Sequence, residues 1–187
     1  SRVAMRWFAL FVPLLFAVLS GCAMNRVTAY NTVVPAQYTL DTGDVVRVTV
    51  YGDTTLTNTY TVTDKGTLSL PLAGEVAVRG EAITAVEQQI TTLLARGYMI
   101  NPKVSVEITT YRPFFIEGAV KTSGQFPYVY GMTARAAVAT AGGFADYADR
   151  GRVTVYRRVG GVMTKRTIGL DDTVLPGDTI VINERWL

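Results

Sequence analysis

The stretch Leu40-Asp41-Thr42-Gly43-Asp44-Val45-Val46-Arg47-Val48-Thr49-Val50 sets a Gly-Asp turn in front of an alternating strand. Val46, Val48 and Val50 point to one side and Arg47, Thr49 and Tyr51 to the other, the period-two signature of a half-buried strand. The pattern returns near the far end as Leu175-Pro176-Gly177-Asp178-Thr179-Ile180-Val181-Ile182. A turn feeding a short alternating strand twice, with a helical stretch between strands each time, predicts an α+β protein: two small mixed β-sheet domains, each with one packed helix.

Working outward from the first copy, Asp53 to Asn58 reads as a polar turn region. Short strands are expected at Tyr60–Thr63 and Thr67–Leu70, with Asp64-Lys65-Gly66 as the tight turn between them. Pro71 and Gly74 interrupt before Val76–Val78. From 81 to 96 the period becomes helical: Ile83, Val86, Ile90, Leu93 and Leu94 share a face, Glu81 is placed in the first turn, and Arg96-Gly97 ends the helix. Asn101-Pro102 restarts the chain before the alternation of Val104, Val106 and Ile108. The first domain is thus assigned to residues 37–111.

The second domain, 112–187, opens at Arg112-Pro113. Strands are expected at Phe114–Val120, Gln125–Tyr130, Val153–Arg157, Met163–Ile168 and Thr179–Ile182. A short helix runs from Thr133, a good N-cap, to Ala141, and Gly142-Gly143 stops it.

The amino-terminal stretch has a different character. Arg2 and Arg6 precede an apolar run from Trp7 to Leu19, followed by Leu19-Ser20-Gly21-Cys22. Thirteen apolar residues at ~1.5 Å each reach roughly 20 Å, short of a ~30 Å bilayer core. Residues 1–21 therefore read as a signal peptide, and 22–36 as an aperiodic tether. Without Arg2 and Arg6 the remaining 166 residues carry 16 basic against 15 acidic side chains, so the overall +3 loses its support for nucleic-acid binding. One cysteine allows no internal disulfide, and stability must come from packing.

Leu19-Ser20-Gly21-Cys22 resembles the lipobox of bacterial lipoproteins, which implies cleavage before Cys22 and acylation of that residue. Ala23 in the next position implies release to the outer membrane, facing the periplasm. A single acyl chain holds weakly, whereas several chains on one residue make a lasting anchor. The covalent lipid on Cys22 is the expected modification, and no other cofactor is expected.

Residues 38–110 resemble the polysaccharide biosynthesis/export domain of outer-membrane polysaccharide export lipoproteins. The resemblance rests on Tyr38-x-Leu40 leading to Gly43-Asp44-x-Val46-x-Val48, on Leu68-x-Leu70-Pro71-Leu72-x-Gly74, on the helix after Gly80, and on Asn101-Pro102-x-Val104-x-Val106. Residues 114–182 look like an SLBB domain, a β-grasp-like module, through Ile116-x-Gly118-x-Val120, Gly124-x-Phe126-Pro127, Ala141-Gly142-Gly143 and Leu175-Pro176-Gly177-Asp178. Two pairs depart from the usual pattern: Gly118-Ala119-Val120 replaces Gly-Glu-Val, and Ser123-Gly124 replaces Pro-Gly. The best-known members add further repeats and a helix that crosses the outer membrane. None is found in these residues, so the resemblance implies a periplasmic ring component whose path another barrel or helix completes. It also implies a homo-oligomer, polysaccharide as the transported substrate and an inner-membrane polysaccharide co-polymerase as partner.

Catalytic chemistry finds little to work with. The chain has no histidine and a single cysteine, which removes Ser-His and Cys-His catalysis and ordinary zinc sites. Asp171-Asp172 and Asp146/Asp149 are the visible carboxylate pairs for a glycoside hydrolase, but each lies in a turn-like stretch. Gly142-Gly143 ends a helix and is followed by no Lys-Ser/Thr, so it is not a phosphate loop. Between 150 and 166 lie Arg150, Arg152, Arg157, Arg158, Lys165 and Arg166 with no acid among them. These cations are either a contact for acidic polysaccharide or a neighbouring subunit, or the solvated face of a hairpin. Tyr128 and Tyr130 are expected on one face of a strand, where they either stack on sugar rings or pack in the sheet. The functional expectation is a passive, non-enzymatic ring that guides polymer; the alternative is a monomeric envelope lipoprotein holding a soluble glycan or regulatory ligand through its SLBB unit.

Overall fold

The computed structural model describes residues Gln37–Arg185. Cys22, the leader 1–21 and the tether 22–36 lie outside the described residues. Two separate apolar cores account for the body, one spanning Leu40 to Val106 and the other Phe114 to Ile182.

The first core is built on β1 (Val45–Val50), flanked by β2 (Asp53–Thr61) and β5 (Val104–Thr110) in an antiparallel three-stranded sheet. Val46, Val48 and Val50 are buried on one face, as their alternation requires. A hairpin of β3 (Thr67–Leu70) and β4 (Gly74–Ala77) adds Leu68, Leu70 and Val76 to the same core. Helix α1 (Ile83–Ala95) closes it with Val86, Ile90 and Leu94, while Ile83 and Leu93 are half-buried against the cluster. Glu87 on α1 accepts the Val106 backbone N–H at 2.9 Å, fastening the helix to β5.

Three local expectations fail. Asp53 to Asn58 is not a turn but most of β2, which pairs with β1; the reversal is at Tyr51-Gly52. A register break between Val48 and Val50 disturbs the alternation, and Thr57 fills it by accepting the Val50 N–H and donating to the Asp53 carbonyl. The buried residues of β2 are Leu56 and Tyr60, and the exposed Asn58 at the intervening position removes the apolar alternation that would mark a strand. Asp64-Lys65-Gly66 does turn the chain, with Gly66 N–H donating to the Thr63 carbonyl and Thr63 N–H to the Thr67 carbonyl, each at 2.9 Å, but beyond that rung Thr67–Leu70 pairs with Gly74–Ala77 and not with the strand before it. Glu81 also lies outside α1, whose cap position is Ala82 with no side-chain cap.

The second core sits on a five-stranded sheet of order β7-β6-β10-β8-β9. These strands are β6 (Phe114–Gly118), β7 (Gly124–Phe126), β8 (Arg152–Val159), β9 (Val162–Gly169) and β10 (Thr179–Ile182). The first strand, β6, lies parallel to the last, β10, which is inserted between the two hairpins. Helix α2 (Ala134–Thr140) contributes Ala134, Ala137 and Val138 to the core, and Thr133 caps it by accepting the Ala136 N–H at 3.2 Å. Small residues on this short helix let it lie close to the sheet, where Phe114, Ile116, Ile180 and Ile182 are fully buried.

The Gly-Asp repeat folds as one motif twice. Asp44 N–H donates to the Asp41 carbonyl and Asp41 N–H to the Asp44 carboxylate; Asp178 N–H donates to the Leu175 carbonyl and Leu175 N–H to the Asp178 carboxylate. Each carboxylate is fully buried.

Candidate functional site

A buried carboxylate is tolerable only with its charge and lone pairs satisfied, and the two corners do this differently. Asp44 accepts four hydrogen bonds: from Tyr38 Oη at 2.7 Å, Asp41 N at 2.9 Å, Arg112 N at 2.8 Å and an Arg112 guanidinium nitrogen at 3.0 Å. Asp178 takes a bidentate pair from Arg157, Nε at 2.8 Å and a terminal nitrogen at 2.6 Å, besides Leu175 N at 2.7 Å.

Arg112 opens the second module, yet its partner Asp44 belongs to the first. Its guanidinium also donates to Tyr38 Oη at 2.6 Å and lies 5.8 Å from the Tyr38 ring centroid. On the other side Gly177, at φ +81°, comes so near that a Cβ would stand 2.8 Å from Arg112 Nε. A side chain there would be strained by its backbone and would displace the guanidinium. The Gly177 N–H donates to the Pro113 carbonyl at 2.9 Å. The second corner therefore closes over the residue that neutralises the first, and the two modules share one joint.

A row of tyrosines crosses the joint. Tyr38 and Tyr111 meet edge to face at 5.0 Å, Tyr111 and Tyr128 at 5.6 Å, and Tyr111 stacks with Tyr130 at 6.1 Å. Burial, and then its hydrogen bond to Asp44, pushes the Tyr38 hydroxyl well above the ordinary tyrosine range; burial also raises Tyr111 and Tyr128. These hydroxyls are neutral donors at physiological pH. The joint can hold a fixed geometry and offer one exposed aromatic edge.

The candidate contact residues are dispersed. Strand β7 ends at Phe126, so Tyr128 and Tyr130 do not share a strand face. Tyr128 is buried and donates to the Val174 carbonyl at 3.1 Å, whereas Tyr130 is 51% exposed. The cation cluster divides as well. Arg157 is consumed by Asp178, while Arg158, Lys165 and Arg166 are exposed on the β8–β9 hairpin. Arg158 shares a rung with Met163 and Lys165 with Tyr156 on one face; Arg166 pairs with Val155 on the other. The carboxylate pairs serve local structure: Asp172 accepts the Gly169 N–H, Asp149 the Gly151 N–H, and Asp171 pairs with Arg135. Local sequence pattern assigns no role to Asp44, Asp178, Arg112, Tyr38 or Tyr111. The signal for the first two was present in the repeated Gly-Asp, whereas nothing local marked Arg112.

Residues 32–109 match the family described as polysaccharide biosynthesis/export protein, and residues 113–167 match the SLBB domain. The chain is 36% identical over 95 residues to the exopolysaccharide production protein ExoF of Rhizobium meliloti (strain 1021), covering 50% of this chain and 22% of that protein. It is 35% identical over 68 residues to the EPS I polysaccharide export outer membrane protein EpsA of Ralstonia solanacearum, covering 35% of this chain and 18% of that protein. The chain thus aligns with about a fifth of the length of each relative. The boundary between the two matched domains falls at the Arg112 joint. The chain thus carries a match to the polysaccharide biosynthesis/export family followed by a match to the SLBB domain, and is similar over part of its length to proteins of exopolysaccharide production and export.

Proposed function

We propose that this chain is an envelope component of exopolysaccharide export, anchored at the outer membrane by lipid on Cys22 and assembled into a ring that guides polymer passively. The observation that carries the reading is the joint. A domain matched to the polysaccharide biosynthesis/export family is joined to one matched to the SLBB domain through a buried Asp44–Arg112 contact that ties the two into one block. Closed rings need identical head-to-tail contacts repeated by rotation, and a block whose two halves swivel would not close to a single size. The block also retains unpaired strand edges at β2, β7 and β9 among the described residues, surfaces through which sheets of neighbouring copies can meet. Polymer synthesis and energy come from an inner-membrane polysaccharide co-polymerase, and a separate outer-membrane barrel completes the path. The catalytic role is nil.

The test is the mass of the detergent-extracted protein together with polysaccharide secretion after deletion. A ring-sized species and lost secretion are expected. A strict monomer with unchanged secretion refutes the reading, and a monomer that binds a defined oligosaccharide through its SLBB domain would replace it with the soluble-glycan role.

A further inference from the structure

We propose that the β8–β9 hairpin is a membrane-contacting arm that seats its apex in the interface of an anionic lipid bilayer. Strand β10 pairs with β8 only over Thr154–Tyr156, starting from Thr179. The rungs Arg158↔Met163 and Val159↔Val162 therefore run beyond the sheet as a two-stranded ribbon turning at Gly160-Gly161. Such a ribbon is marginal on its own, and here its base is pinned by the bidentate Arg157–Asp178 pair.

What the ribbon presents is unusual for a solvated tip. Val159, Val162 and Met163 are 54%, 65% and 54% exposed, an apolar apex where turn chemistry alone would favour polar residues. Behind the apex stand Arg158, Lys165 and Arg166. Arg158 makes one long contact with the Gly161 carbonyl at 3.4 Å, and the Lys165 ammonium lies 5.7 Å from the Tyr156 ring centroid. Arg166 has no ion pair among the described residues. No acidic residue occurs from Arg150 to Leu170. An apolar apex with a cationic collar on both faces matches a bilayer interface: hydrocarbon takes the valines and the methionine, and anionic headgroups take the cations. An acidic glycan would satisfy the cations but leave the apex in water. This contact is independent of any acyl group on Cys22 and of ring assembly.

The test places a reporter at the apex, Val162→Trp, in the full chain reconstituted into vesicles whose acyl chains carry bromine. The signal is taken as the difference from the parent chain, so that the native tryptophan Trp186, and Trp7 where the leader is retained, cancel. The reporter is expected to be quenched in phosphatidylcholine vesicles containing phosphatidylglycerol, and a Tyr147→Trp reporter elsewhere on the module to remain bright. With each interfacial cation adding about fivefold to binding, Arg158→Ser with Lys165→Ser should lower the ratio of inserted to free hairpin on the order of 20-fold. High salt should act in the same direction. An unquenched apex reporter, quenching indifferent to phosphatidylglycerol and to the serine pair, or equal quenching of the Tyr147→Trp reporter would each overturn the proposal. So would protection of the apex by polygalacturonate fragments without vesicles, which would assign the hairpin to acidic glycan.

Discussion

Replacing Arg112 by alanine tests the joint. The Asp44 carboxylate is fully buried, and the Arg112 guanidinium at 3.0 Å is the cation paired with it. Removing one partner of a buried pair typically destabilises by ~3–5 kcal/mol, because the remaining charge is stranded. Two features reduce that figure here. Arg112 N, Asp41 N and Tyr38 Oη still donate to the carboxylate, and the Arg112 side chain is 22% exposed, so solvent screens part of its attraction. The expected loss is about 2–3 kcal/mol in urea unfolding at neutral pH, with the denaturant slope unchanged. Arg79→Ala is the control. Its pair with Asp41 spans 3.3 Å between half-exposed side chains, and its hydrogen bonds to the Thr42 hydroxyl and the Asp64 carbonyl are also exposed, so its loss should cost less than that of Arg112. Combining Arg112→Ala with Asp44→Asn should fall short of the sum of the single losses by ~1 kcal/mol or more, since the groups touch. Equal losses for Arg112→Ala and Arg79→Ala, or strict additivity with Asp44→Asn, would refute the view that a buried ion pair locks the modules.

Three further outcomes follow from the structure. Arg157→Ala should destabilise by roughly 2–4 kcal/mol in the same assay, because Asp178 loses both bonds of its bidentate partner, whereas Arg158→Ala and Lys165→Ala should stay within about 0.5 kcal/mol. Gly118→Ala should prevent the second module from folding, read as lost amide-exchange protection in β6 and β10: the residue has φ +88° and its Cβ would stand within van der Waals overlap of the Ile182 carbonyl oxygen. Because burial raises Tyr38, Tyr111 and Tyr128 above the ordinary tyrosine value near 10, the unfolded chain sheds those protons first. Their contribution is whole below pH ~10 and is lost as pH rises beyond it, by up to ~1.4 kcal/mol per pH unit for each proton. Tyr38→Phe should flatten that decline in urea unfolding measured across the alkaline range.

Much of the architecture is written in local pattern. Val46, Val48 and Val50 alternate because one face of β1 is buried, and Val86, Ile90 and Leu94 repeat at helical spacing because one face of α1 is. The stop at Gly142-Gly143 and the Thr133 cap are likewise local chemistry. Local pattern failed at β2, where exposed Asn58 stands between the buried Leu56 and Tyr60 and threonines make an edge strand look like a turn. It failed again at Tyr128 and Tyr130, whose spacing suits a strand that ends two residues earlier.

The two cores, their order and the recurrence of the Gly-Asp corner are legible from the residues alone, since each depends on positions close together in the chain. Only the tertiary structure decided what the corners do. Arg112 meets Asp44 across 68 residues, and Arg157 meets Asp178 across 21. One basic run was thereby divided into a structural arginine and a solvated arm. Charge in a sequence is only a count of cations; which of them faces a buried carboxylate is fixed by the fold that removes that carboxylate from water.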